Sequence, residues 1–140
     1  MNRAEQPATL PIRNAATVVV LRDTDRGPEV FMLRRAQGAV FLGGAYVFPG
    51  GALDVGDADP RWSQRIASLS ATDADRRLEV DEGGLAYWIA ALRECFEEGG
   101  ILFMRQANGE PLQGPALDTM AAHRAALCRG EIAWLDLVAW

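Results

Sequence analysis

The segment Leu85 to Gly99 constrains this chain more than any other, because its periodicity admits only a helix. Trp88, Leu92 and Cys95 recur at i, i+4 and i+7, the spacing that stacks side chains along one side of a 3.6-residue turn. Gly99-Gly100 then supplies a left-handed stop, since glycine carries no Cβ penalty at positive φ. On such a helix Glu94, Glu97 and Glu98 fall within an arc of roughly 100°, while Leu92 and Cys95 turn toward the core. Three carboxylates on one flank repel one another and weaken the helix. A divalent cation bridging them would reverse that penalty, and hard oxygen donors suit Mg²⁺ or Mn²⁺. Arg93 precedes Glu97 by four residues and can orient it. The alternative is a solvated acidic face with an intrahelical Arg–Glu pair.

The rest of the chain reads as short strands followed by helices. Ala15 to Leu21 is a β-branched run and Glu29 to Arg34 a second strand, with Asp23 to Pro28 as the turn of a hairpin. A glycine-rich loop (Gly38, Gly43, Gly44) leads to a short strand, Ala45 to Phe48, stopped by Pro49-Gly50-Gly51. From Asp54 to Gly84 the composition turns polar and acidic, with helical pieces at Asp59 to Leu69 and Ala71 to Leu78. Ile101 to Met104 is expected as a strand, and Asp118 to Arg129 as a helix capped by Asp118.

Composition narrows the classes. The chain has 140 residues, enough for one domain, and its 49% apolar content suffices for one packed core. A net charge of −5 gives no reason to expect nucleic acid as partner. All fourteen basic residues are Arg, a side chain suited to phosphate. Cys95 and Cys128 form neither a disulfide framework nor a metal-ligand spacing, so a reducing, cytoplasmic setting is expected. Met1 to Arg13 lacks the apolar stretch of a secretory signal, and no run is long enough to span a membrane.

At the helix the pattern becomes specific. Arg93-Glu94-Cys95-Phe96-Glu97-Glu98-Gly99-Gly100-Ile101 resembles the second half of the Nudix box, R-E-U-x-E-E-x-G-U, with Cys95 and Ile101 at the apolar positions. Phe48-Pro49-Gly50-Gly51 followed by Asp57 resembles the first half, G-x5-E, counted from Gly51. Thirty-five residues (58–92) separate the halves, an interruption similar to that of the Nudix subgroup that includes the peroxisomal coenzyme A diphosphatase. Arg35-Ala36, Gly44 and Phe48 to Gly51 also match the spacing of a pattern found in coenzyme A-hydrolysing members, with departures at Leu33 and Val40. A strand–loop–strand shared by many family members would account for that match equally well.

The resemblance implies an α/β fold, a Nudix-like α/β/α sandwich with a mixed β-sheet, over residues 15–140. It places a lead-in at 1–14, an insertion at about 58–84, and C-terminal strands apparently absent. It implies metal-dependent hydrolysis of a nucleoside diphosphate derivative, coenzyme A or its acyl esters first. Nucleotide sugars, dinucleotides or oxidised nucleotides are the rival substrates, and a degenerate module that binds without turnover is the rival class. Glu94, Glu97, Glu98 and the Gly51 carbonyl are the implied metal ligands, with Mg²⁺ or Mn²⁺ as the ion. Glu94, Arg93 and Glu97 are the implied catalytic residues, and Glu94 either binds metal or takes a proton from water. Arg34, Arg35 and Gly50 are candidates for substrate contact, although Arg34 and Arg35 read equally well as strand-end surface charges. Asp54 or Asp59 could take the place given to Asp57. The expected partner is a small-molecule diphosphate, with no nucleic acid and no membrane. Oligomeric state stays open, with a homodimer as the option the family suggests.

Several residues read as structural: His123 on the late helix, Cys95 on an apolar face, and Trp62, Trp88, Trp134 and Trp140 in core or interface. The Asp73 to Arg77 run is a solvated helix or a lid. The apolar run Ile132 to Trp140 needs a surface to cover it.

Overall fold

In the computed structural model, residues 12–38 and 42–138 are described. Six short strands come first: β1 (Ala15–Thr17), β2 (Val20–Arg22), β3 (Glu29–Phe31), β4 (Leu33–Arg34), β5 (Tyr46–Val47) and β6 (Gly50–Ala52). Each expected long strand is divided where its partner changes. β1 pairs with β6, whereas β2 pairs with β3 in the expected hairpin. β4 pairs with β5. At the first division the Val18 amide donates to Pro49 O at 2.9 Å, so the backbone stays satisfied through the switch. The hairpin turn closes through Thr24 and Gly27, whose φ of +106° is open to glycine at no steric cost. All three described ladders are antiparallel; the parallel pairing of a mixed sheet is not among the described residues.

Four helices follow: α1 (Ala71–Leu78), α2 (Gly84–Gly99), α3 (Pro115–Cys128) and α4 (Trp134–Leu137). α2 is the hub, packing on β1 and β6 at one side and on α1 and α3 at others. Its crowding corrects the expected stripe. Trp88 is exposed, whereas Cys95 is fully buried as expected, and the buried surface widens to take in Ala86, Ile89, Ala90, Arg93 and Phe96. A helix enclosed on several sides buries more than one stripe, and Arg93 tolerates burial because acidic partners surround it.

Other expectations shift locally. The helical piece at Asp59 to Leu69 is a short 3-10 helix, Pro60–Gln64, preceded by another at Val55–Ala58. Asp54 and Asp59 each accept hydrogen bonds at the start of these turns, favouring tight successive turns over one longer helix. α3 begins at Pro115 after Gly114, so Asp118 lies in its first turn and does not cap it. Proline's fixed φ and missing N–H suit that first position. Ile101 to Met104 forms no strand; an isolated bridge joins Arg105 to Pro111. Leu102 and Met104 still pack inward against the core while Phe103 is exposed. The alternation survives without a paired edge.

The core gathers Trp62, Ile89, Phe96, Met120, Leu127, Trp134, Leu135 and Leu137. Each such side chain removed from water contributes about 1.5–3 kcal/mol. Trp134 stacks on Phe96 at 5.6 Å between centroids and lies 6.4 Å from Trp62. Part of the apolar C-terminal run is thus covered within the chain by α2 and by the segment between the two motif halves. Trp140 lies outside the described residues, as do most of the lead-in and Val40. Among the described residues no helix is long and apolar enough to cross a membrane.

Candidate active site

Arg93 organises the site. It is 8% exposed, and its guanidinium uses every donor it has. Nε and Nη2 grip Asp57 Oδ1 and Oδ2 at 3.0 and 2.9 Å, a two-pronged pairing. Nη1 donates to Glu94 Oε1 at 2.9 Å and to Glu97 Oε2 at 3.0 Å. The remaining Nη2 hydrogen meets Ala52 O at 3.1 Å and ties β6 to α2. Burial works against the guanidinium charge, but Asp57, then Glu94 and Glu97, outweigh it and hold its pKa above the ordinary arginine value. The expected Arg93–Glu97 contact is present.

Of the three aspartates offered for the first motif half, Asp57 alone reaches Arg93. It is 2% exposed, and its Oδ2 also accepts from the Asp54 amide at 2.8 Å. Asp54 caps the 3-10 turn that carries Asp57. Asp59 pairs with Arg61 at 2.7 Å, whose side chain and then backbone N–H hold its carboxyl down to about 2.

The glycine turn lies directly against the acidic flank. The Gly50 amide donates to Glu98 Oε2 at 3.0 Å. A Cβ on Gly51 would collide with the Glu94 carboxylate, and a Cβ on Gly50 with Ala16 O and Thr17 Cα. Glu94 and Glu98 therefore meet the Gly50-Gly51 backbone, as the motif halves require. Burial pushes the Glu97 carboxyl above the usual carboxylate range; Arg93 opposes this and Glu94 adds to it.

Both ends of α2 are fixed by side chains that sequence reasoning passed over. At the start, Asp75 Oδ1 of α1 accepts from the Gly84 amide at 2.6 Å. An anion there complements the helix dipole. At the end, Arg124 of α3 donates from Nε to Phe96 O (2.8 Å) and Glu97 O (3.0 Å). Its Nη2 donates to Glu97 O (2.7 Å) and Glu98 O (2.8 Å). The Gly-Gly stop is the only sequence signal for this clamp, since a broken helix end leaves carbonyls in need of donors.

Arg34 and Arg35 are exposed on the β4 edge of the hairpin that leads to Gly50. The hydrogen bonds and ion pairs around Arg93 do not include them. An open groove of about 270 Å³ borders the site, lined by Arg13, Ala52, Leu53, Asp54, Val55 and Arg93.

Three carboxylates (Asp57, Glu94, Glu97) thus stand around a single guanidinium, and a fourth, Glu98, is held by the Gly50 amide, an excess of negative charge that a hard divalent cation would offset. Among the described residues no three His, Cys, Asp or Glu side chains are grouped closely enough to hold such an ion as they stand. Glu94 and Glu97 are engaged by Arg93, and Glu98 by Gly50. Carboxylate oxygens are nevertheless the donor type that a hard cation takes.

A solved Nudix hydrolase from Alicyclobacillus acidocaldarius superposes with a TM-score of 0.61 at 34% identity, over 88% of this chain and 51% of that one. The chain is a homologue of the Nudix hydrolases. Acyl-coenzyme A diphosphatase NUDT19 of Homo sapiens is 32% identical over 64% of this chain, and its Gallus gallus counterpart 30% identical over 61%. The chain spans only 30% and 28% of those two relatives' own lengths. No protein-family model matches it. As a Nudix homologue it has an α/β fold in which α2 bears the motif's carboxylates and β6 its glycines.

Proposed function

We propose that this Nudix homologue is a metal-dependent hydrolase that cleaves the diphosphate linkage of a nucleoside diphosphate derivative, with coenzyme A and its acyl esters as first substrates. The observation that carries the reading is the Arg93 cluster beneath the glycine turn. In this reading Glu97, Glu98 and the Gly51 carbonyl hold Mg²⁺ or Mn²⁺, with Glu94 as a further ligand or as the base that takes a proton from attacking water. The ion, when bound, supplies charge neutralisation and Lewis acidity at the diphosphate. Arg93 keeps Glu94 and Glu97 oriented, and Asp57 keeps Arg93 charged and in place. Arg34 and Arg35, on the hairpin that leads to Gly50, are the candidates for substrate phosphate. The similarity to the human and chicken acyl-coenzyme A diphosphatases supports the substrate choice. Free thiols at Cys95 and Cys128 accord with a cytoplasmic setting, and a homodimer stays part of the reading.

A second reading, a module that binds a nucleotide-like ligand without turnover, draws support from the carboxylates being engaged by protein partners. One assay separates the two. Purified protein is given coenzyme A or an acyl ester with Mg²⁺ or Mn²⁺, and diphosphate cleavage is followed beside Glu97→Gln. Turnover is expected in the parent and a loss of about 10²–10⁴-fold in the variant, as weakening a cation whose charge stabilisation is worth several kcal/mol would give. Equal rates in both proteins would remove Glu97 from the chemistry, and binding without cleavage in the parent would favour the second reading.

A further inference from the structure

We infer that Arg124 is a positioning residue for the carboxylates of Glu97 and Glu98, an inference that rests on the hydrolase reading above. The argument starts from the way α2 ends. Gly100, at φ +67°, turns the chain so that its own N–H bonds Phe96 O and the Ile101 N–H returns to Cys95 O. That closure is the usual glycine stop, and it draws the Ile101 donor away from Glu97 O. The carbonyls of Glu97 and Glu98 are left to the Arg124 guanidinium, with Cys128 Sγ 3.6 Å from the first of them.

Those two carbonyls belong to the residues whose carboxylates matter. Glu98 is held by its backbone to Arg124 and by its side chain to the Gly50 amide. Glu97 is held by its backbone to Arg124 and by its side chain to Arg93. Arg124 therefore fixes the last turn of α2 from behind while the glycine turn and Arg93 receive its carboxylates in front. A planar fork is needed for this, because one head group spans three successive carbonyls. Its charge also complements the negative end of the helix dipole. Without it the last turn frays, and Glu98 loses its register with Gly50.

The test compares Arg124→Gln, Arg124→Lys and Leu127→Ala with the parent protein. Leu127 lies on the same helix and in the core, and its apolar side chain offers these carbonyls no donor, so it controls for simple destabilisation. The readouts are the Gly50 amide resonance, amide exchange at residues 98–101, and Mn²⁺ affinity without substrate. Turnover is measured separately. Arg124→Gln is expected to shift the Gly50 resonance, speed exchange in the last turn and weaken Mn²⁺ binding about 10–100-fold, as loss of an outer partner does. Arg124→Lys is expected to restore these only in part, and Leu127→Ala to leave all three at parent values. Should Arg124→Gln not fold, the Lys variant carries the same readouts. Parent-like Gly50 resonance and Mn²⁺ affinity in the folded Arg124 variant would overturn the inference, as would equal changes in Leu127→Ala. A parent that folds and shows the Gly50–Glu98 bond without turnover would count against the hydrolase reading, while the resonance comparison would still decide the role of Arg124.

Discussion

A buried arginine is tolerated only when its charge and all its donors are met, and Arg93 meets that condition through Asp57 more than through any other group. Removing Asp57 leaves the guanidinium enclosed with two of its five hydrogen bonds gone. Asp57→Ala is accordingly expected to cost about 3–5 kcal/mol, the usual loss when one partner of a buried pair is deleted. Asp54→Ala removes a cap of the 3-10 turn and is expected to cost about 0.5–2 kcal/mol. Asp59→Ala loses the cap of the second 3-10 turn as well as a surface pair with Arg61, and is expected to lower the midpoint by less than Asp57→Ala does. Urea unfolding of the three variants checks this order, and three equal losses would show that Arg93 does not depend on Asp57. The same residues mark what could be read in advance. Arg93 and Glu97 are four apart on one helix, so their contact follows from helical geometry. The choice among Asp54, Asp57 and Asp59 does not, because two tight turns decide which carboxylate points inward. Arg124 is less legible still: its partners are backbone carbonyls, which every residue has.

Among the elements, β6 carries two adjacent glycines with different duties. A Cβ at Gly50 meets backbone, Ala16 O and Thr17 Cα, which cannot move without opening the β1–β6 ladder. At Gly51 a Cβ meets the end of the Glu94 side chain, which can swing aside. Gly50→Ala is therefore expected to destabilise the fold by about 1–3 kcal/mol, as overpacking does. Gly51→Ala is expected to fold with little loss while lowering turnover as far as Glu94→Gln does. Unfolding midpoints and rates for the three proteins check the contrast, and a Gly51→Ala protein with parent-like rates would show that the place of Glu94 is not fixed by the turn. Element types were legible where a pattern repeats over many residues, as along α2, and less so where pairing decides. Ile101 to Met104 alternates like a strand and packs like one, yet no neighbouring edge among the described residues makes it one. Trp88 sits on the expected stripe but faces out, since periodicity cannot say which neighbours enclose a helix.

For the molecule as a whole, the long segment between the motif halves is part of the core and not an appendage over it. α1 packs along α2, with Gly84 so close to Ala74 and Asp75 that a Cβ would clash with their backbone. Trp62 is 3% exposed and joins Trp134 and Phe96, so the insertion, α2 and α4 share one aromatic cluster. Its indole N–H also donates to Gly56 O at 2.9 Å, bracing the turn that delivers Asp57 to Arg93. Nothing in the sequence distinguishes this arrangement from a lid, because an isolated tryptophan in a polar stretch fits either. The two organisations differ in what happens when the ring is removed. If the insertion is core, Trp62→Ala opens a cavity between α2 and α4 and is expected to cost about 3–5 kcal/mol. Near-ultraviolet and far-ultraviolet dichroism would then lose their signals in one transition at a lower temperature. Trp62→Phe keeps most of the ring packing but not the Gly56 bond, so it is expected to retain much of the stability. Its Asp57–Arg93 pairing would be looser, seen as faster exchange of the Arg93 Nε proton. A lid would behave otherwise, with the main transition of Trp62→Ala unmoved and only a minor early change, and that result would detach the insertion from the core.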